Sequence, residues 1–295
     1  MAESEIEVVR ALLGSKPRPF GWEERRRRLD EVGAVWPVAE DVRLENVAIG
    51  GNPAEFSSVA NADPSGVLLF FHGGGYCSGS ILSHRRMVTE AGRACGLRTL
   101  AVGYRLAPEN PFPASFEDAI AAWFYLRKQG FAAGKIIVGG DSAGGGLTLA
   151  LLQHLRDTRE EAPACAWLAS PWTDLTMSGD TMDSKDTVDP LIHRVYLEEL
   201  AQAYVPTGIN RKDPRISPLF ADLRGLPPLL IQVGSDETLL ADSTRFAEAA
   251  GAAENAVTLE IWPRMIHAWP VWNARLEPGR RALAHLGEFA RRWLA

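Results

Sequence analysis

Cysteine is scarce in this chain, and long apolar runs are missing altogether. Cys77, Cys95 and Cys165 are the 3 cysteines of 295 residues, an odd set with no metal-ligand spacing. That excludes a disulfide framework and fits reduced thiols in a cytoplasmic protein. No stretch approaches the length of a membrane span, and the acidic opening "MAESEIEVVRALLG" lacks a charged-then-apolar signal pattern, so neither membrane insertion nor export is expected. The 6 histidines are scattered, with no His-Glu-x-x-His helix, and no metal or other cofactor is expected. Positive charge is not in excess either. A net charge of -6 argues against a nucleic-acid binder that neutralises phosphates. The basic run Arg25 to Arg28, flanked by Glu23, Glu24, Asp30 and Glu31, reads as a solvated helix face with internal ion pairs.

Apolar residues are plentiful, at 46% hydrophobic against 23% charged, which is enough for a sizeable core. The first 40 residues have helical spacing, punctuated by Gly14 and Pro17. Residues 43–49 and 54–60 then read as strands. From "GVLLFFHGGG" onward, apolar strands alternate with helices, the pattern of a mainly parallel sheet covered on both faces. The fold class is therefore α/β, with the early strands as an antiparallel edge. One core, 41–295, carries two excursions, residues 1–40 and roughly 174–213, which could pack together as a helical cap.

Between the short strand Ile136–Val138 and the apolar helix from Leu147 lies "GGDSAGGG". A phosphate loop would need a lysine after the glycines, and a dinucleotide fingerprint would need glycine where Ser142 stands. What fits is Gly-x-Ser-x-Gly, filled by Gly140 to Gly144. This is a sharp strand-to-helix turn that strains a serine and leaves no room for flanking side chains. The turn His72-Gly73-Gly74-Gly75 ends an earlier strand. With Ala143, Gly73 and Gly74 are the natural N–H donors to a developing oxyanion.

A serine needs a base to become a nucleophile. Among the histidines only His267 follows a late strand by a short loop, "IWPRMIH". The carboxylate that orients it is expected at Asp236, directly after the strand "LLIQVGS". Asp174 is the runner-up and Glu237 a third choice. Asp242 reads as a helix-face residue and Asp141 as a structural hydrogen-bonding group.

At this point the chain resembles the hormone-sensitive-lipase-like (family IV) bacterial esterases of the α/β-hydrolase superfamily. The residues are "HGGG" at 72–75, "YRLAPE" at 104–109, "PFPA" at 111–114, "GDSAGGG" at 140–146, "SPWTDL" at 170–175, "DPRISPL" at 213–219, "GSDETLLAD" at 234–242 and "MIHAW" at 265–269. The resemblance implies an eight-stranded hydrolase core with an N-terminal helical cap, a triad of Ser142, Asp236 and His267, and an oxyanion hole of Gly73, Gly74 and Ala143. Two positions depart from the family pattern. Glu237 stands where proline often follows the acid, and Tyr76-Cys77 follows the glycine turn, with Cys77 close enough to the site to expect inhibition by thiol reagents.

The expected activity is hydrolysis of short-chain carboxylic esters through an acyl-enzyme. Tyr76, Trp172 and Trp269 are candidate walls of a shallow pocket. A lactonase or deacetylase could use the same triad, and a hydrolase-fold binding protein is the alternative of another class. The partner is a small-molecule ester. The alternating strand near 257–263 reads as a sheet edge through which two copies could pair, and the resemblance favours that homodimer.

Overall fold

A computed structural model describes residues 4–15 and 17–294. Among them, strands of one sheet follow the order β1-β2-β4-β3-β5-β6-β7-β8. β1 (Arg43–Ile49) and β2 (Asn52–Ser58) form a hairpin, and β2 also runs antiparallel to β4 (Leu97–Val102). β3 (Asp63–Phe71), β4, β5 (Ile136–Asp141), β6 (Cys165–Ala169), β7 (Leu229–Gly234) and β8 (Val257–Trp262) are mutually parallel. The antiparallel edge is where the strand pattern placed it. β2 begins two residues earlier than expected, because Gly50 and Gly51 both take positive φ (59° and 90°) and close a two-residue hairpin turn.

The parallel strands are apolar on both sides, and their alternation divides them between two cores. Val67, Leu69 and Phe71 of β3 face one layer. There they meet Trp123 of α4 (Ala114–Lys128), Leu147 and Leu151 of α5 (Ala143–Asp157) and Phe246 of α8 (Leu240–Ala252). Leu68 and Phe70 face the other layer, with Met87 and Ala91 of α3 (Ile81–Cys95) and Leu283, Leu286 and Phe289 of α9 (Glu277–Trp293). Those three α9 residues recur at every third position, which makes one buried stripe.

Outside these layers lie α1 (Glu5–Gly14) and α2 (Trp22–Val35), and α6 (Thr181–Ser184) and α7 (Arg194–Tyr204) within the excursion 174–213. The two excursions touch. Arg25 donates to Glu199 Oε2 (2.7 Å) and lies over the rings of Trp22 and Tyr196, while Arg18 donates to the Leu191 carbonyl (3.3 Å). The basic run thus corrects the expectation in part. Arg27 and Arg28 form the anticipated ion pairs with Glu31 and Glu24. Arg25 is buried, however, and Arg26 bonds the carbonyls of Cys77 and Ala107, tethering α2 to the glycine turn. Among the described residues no helix is long and apolar enough to cross a membrane.

Candidate active site

Ser142 sits between β5 and α5 with φ 53° and ψ −122°, a conformation that L residues avoid. Its neighbours explain the glycines. A Cβ on Gly140 would strike the Gly144 backbone, and one on Gly144 would strike the Phe71 carbonyl. Ser142 N–H donates to Ala169 O (2.9 Å), while its carbonyl accepts from Trp172 N (2.9 Å) and Gly146 N (3.1 Å). The strained residue is held from both sides.

The hydroxyl of Ser142 donates to His267 Nε2 at 2.9 Å. The other ring nitrogen, Nδ1, donates to Glu237 Oε2 at 2.8 Å. The acid against the histidine is therefore Glu237, which corrects the expectation of Asp236. Beyond β7, Ser235 N bonds Trp262 O (2.9 Å) and Asp236 N bonds Met265 O (3.0 Å), so strand-like pairing continues past the end of the sheet. Successive side chains then leave on opposite sides. Asp236 turns outward to Arg10 Nη2 (2.7 Å) and remains a quarter exposed, and Glu237 turns inward and is fully buried. The second oxygen of Glu237 accepts from Gly234 N (2.6 Å) and Ser170 Oγ (2.8 Å). Ser170 Oγ also accepts from Ala268 N (3.1 Å), so one hydroxyl braces both Glu237 and the loop of His267. Ser170 went unnoticed in the sequence, although it stands at the head of "SPWTDL".

Burial works against a charge on His267, but the hydrogen bond and charge of Glu237, aided by Asp189 and Asp141, outweigh it and raise its pKa above the usual 6.5. Asp174, the runner-up acid, is occupied elsewhere. It accepts from Thr176 and Ser178 and pairs with Arg245 (3.1 Å). Asp242 lies in the first turn of α8, as expected of a helix residue, but on its buried face. It is fully buried and accepts from the N–H groups of Thr173 and Asp174, both at 2.8 Å.

The glycine turn holds a second correction. Gly73 N–H donates to Asp141 Oδ1 at 2.8 Å, so it does not point into the site. The other carboxylate oxygen of Asp141 pairs with His84 Nε2 (3.2 Å). Burial alone would raise the pKa of Asp141 and lower that of His84, but their mutual attraction reverses both shifts. The N–H groups of Gly74, Gly75 and Ala143 have no acceptor among the described residues. Burial, with repulsion from His84, lowers His72 to about 4. It stacks on Tyr104 (4.3 Å) and donates from Nδ1 to Gly73 O (2.8 Å), which stiffens the turn.

The three candidate pocket walls are packing residues in this structure. Tyr76 stacks on Tyr204 at 3.9 Å and 5°, Trp172 donates to Asp174 O (3.2 Å), and Trp269 lies in a separate cluster with Ile6, Val9 and Met265. All three are almost wholly buried. Cys77 is buried too, and burial pushes its thiol up to about 12, so ready attack by thiol reagents is not the expected behaviour.

Comparison with known proteins identifies the family. A family model described as the alpha/beta hydrolase fold matches residues 68–271. An acetyl-hydrolase of Streptomyces hygroscopicus is 39% identical over 298 residues, covering 99% of this chain and 97% of the relative. An esterase from the bacterial hormone-sensitive lipase family superposes with a TM-score of 0.95 at 39% identity over 100% of both chains. EstE5, solved after soaking by p-nitrophenyl butyrate, superposes with a TM-score of 0.94 at 40% identity, again over 100% of both chains. The chain belongs to the α/β-hydrolase family, among the esterases of its hormone-sensitive-lipase-like branch.

Proposed function

We propose that this carboxylic ester hydrolase cleaves short-chain acyl esters through an acyl-enzyme, with Ser142, His267 and Glu237 as its triad. The observation that carries the reading is the unbroken chain Ser142 Oγ–His267 Nε2 (2.9 Å) and His267 Nδ1–Glu237 Oε2 (2.8 Å). Ser142 Oγ attacks the ester carbonyl as its proton passes to Nε2. The imidazolium, supported by Glu237, then gives that proton to the departing alkoxide, leaving an acyl-serine. Water, deprotonated by the same nitrogen, attacks the acyl-serine, and collapse frees the acid and restores Ser142.

Negative charge on the carbonyl oxygen is met by Ala143 with Gly74 and Gly75. The donor pair thus moves one residue along from Gly73–Gly74, because Gly73 is committed to Asp141. The helical pairs of 1–40 and 174–213 form the cap. The short-chain preference is supported by the similarity to an acetyl-hydrolase and to EstE5, which was soaked by p-nitrophenyl butyrate. A cytoplasmic setting and a homodimer along β8 belong to the same reading, supported by three unpaired thiols and by exposed Ile261 at the sheet edge.

The test is a series of p-nitrophenyl esters from acetyl to palmitoyl, assayed with the wild type and Ser142→Ala. Expected are a burst of nitrophenol, stoichiometric labelling of Ser142, and rates falling beyond about six carbons. Half of wild-type turnover surviving in Ser142→Ala would reject the mechanism. Faster turnover of palmitoyl than butyryl ester would reject the short-chain reading.

A further inference from the structure

Glu237 is flanked by two residues that are each tied to segments outside the sheet. On one side, Asp236 Oδ2 accepts from Arg10 Nη2 (2.7 Å), and Lys185 Nζ lies 3.9 Å from its other oxygen. The same guanidinium donates to Val188 O (3.1 Å) and Arg264 O (3.3 Å). One side chain of α1 thus joins the loop of the acid, the loop of the base and the excursion 174–213.

On the other side, Thr238 N–H donates to Asp189 Oδ2 at 3.0 Å. The second oxygen of Asp189 accepts from Leu191 N (2.8 Å) and Ile192 N (3.1 Å), and the residue is buried. Thr181 Oγ adds a bond to Thr238 O (2.7 Å). Ile6 and Val9 of α1 pack in one cluster with Met265 and Ile266, the two residues before His267, and Glu7 pairs with Arg264.

The carboxylate of Glu237 is aimed from within the core by Gly234 and Ser170, but the backbone that carries it is fixed from outside. A displacement of about 1 Å in a catalytic constellation can cost ~10² in rate. We infer that Arg10 and Asp189 are positioning residues of the Glu237–His267 pair, so that seating of α1 and of the 174–213 excursion is a condition of turnover as well as a cover for the site. This rests on Glu237 being the orienting acid.

Arg10 is partly exposed, and its ion pair alone would contribute little stability. Its effect is geometric, since it holds three acceptors from three segments. Asp189 differs, because its removal leaves three N–H groups without their acceptor.

The test compares Arg10→Gln, Asp236→Asn, Asp189→Asn and the exchange Arg10→Asp/Asp236→Arg with Glu237→Gln, using p-nitrophenyl acetate. Readouts are kcat, KM, the acid limb of kcat/KM against pH, and the melting temperature. The charges that face His267 are Glu237, Asp189 and Asp141, so Asp189→Asn alters the limb directly and Arg10→Gln is the cleaner probe. Arg10→Gln and Asp189→Asn should each lower kcat about tenfold with KM held within about twofold. The acid limb of Arg10→Gln should move to lower pH, the Arg10→Gln/Asp236→Asn pair should be no worse than either alone, and the exchange should recover part of kcat.

If Glu237→Gln loses about 10⁴ while Arg10→Gln and Asp189→Asn keep wild-type kcat and pH limb, the positioning role is refuted and the triad stands. A rise in KM alone would also refute it, assigning these residues to substrate binding. If Glu237→Gln is itself near wild type, the acid assignment falls first and the positioning role falls with it.

Discussion

The carboxylate of Glu237 meets His267 Nδ1 at 2.8 Å, while the carboxylate next to it in sequence, Asp236, faces away toward Arg10. Two consecutive acids therefore have separable effects. Glu237→Gln should reduce kcat by about 10⁴, since the ring loses both its tautomer control and the stabilisation of its charged form. Asp236→Asn should cost no more than about tenfold. Steady-state kinetics of the two variants side by side decide the point, and a reversed order would return the acid to Asp236.

His267 must be neutral to take the serine proton, and its pKa lies above 6.5 in the folded protein. Activity is therefore expected to rise with pH through a value above 6.5 and then level off. Removing the charge at Glu237 should move that limb down in pH. A profile of kcat/KM from pH 5 to 9 shows both, and a limb below 6 in the wild type would contradict the assignment.

Asp141 joins the elbow to the glycine turn. Asp141→Ala strips Gly73 N–H of its acceptor and leaves the buried His84 without its partner. Breaking a buried pair in this way typically costs about 3–5 kcal/mol. A large drop in melting temperature together with a loss of turnover is expected. Asp141→Asn, which keeps an acceptor for Gly73, should recover more turnover than stability. Equal recovery of both would reject this division of roles.

Burial, with the charge of Asp174 next, raises Asp242 from 3.8 to about 7. Between about pH 4 and 7 the unfolded chain ionises at this residue and the folded one does not, so stability falls as pH rises through that window and is flat above it. Asp242→Asn keeps an acceptor for the Thr173 and Asp174 N–H groups and should flatten the decline. Melting curves from pH 4 to 8 test it, and parallel curves for the two proteins would contradict the raised value.

The buried thiol of Cys77, held near 12, should resist iodoacetamide at pH 8 in the native enzyme. Activity should survive until denaturant opens the fold. Rapid inactivation with labelling at Cys77 would contradict its burial beside the glycine turn.

The parts legible in the sequence are those whose constraint is local. The elbow is written as glycines because Gly140 and Gly144 have no room for a Cβ, and the unbroken apolar run of β3 marks a strand buried on both faces. His267 could be found from its short loop after a late strand. The choice between Asp236 and Glu237 was not legible, because it depends on Asp236 N pairing with Met265 O, a contact between distant segments. The commitment of Gly73 to Asp141 and the packing of Trp269 beside Ile6 and Val9 are long-range in the same way, and neighbouring residues carry no sign of them. The burial of Arg25 is hidden within its basic run for the same reason, since its partner Glu199 lies in the other excursion.

The positive φ of Ser142 carries a cost that no neighbour removes, because strain of this kind typically amounts to about 1–3 kcal/mol. Glycine would relax that backbone while abolishing the nucleophile, so a dead Ser142→Gly protein should melt no lower than the living one. Decay of the enzyme into an inert, sturdier relative is thus thermodynamically downhill, and only continued demand for turnover keeps the serine in place.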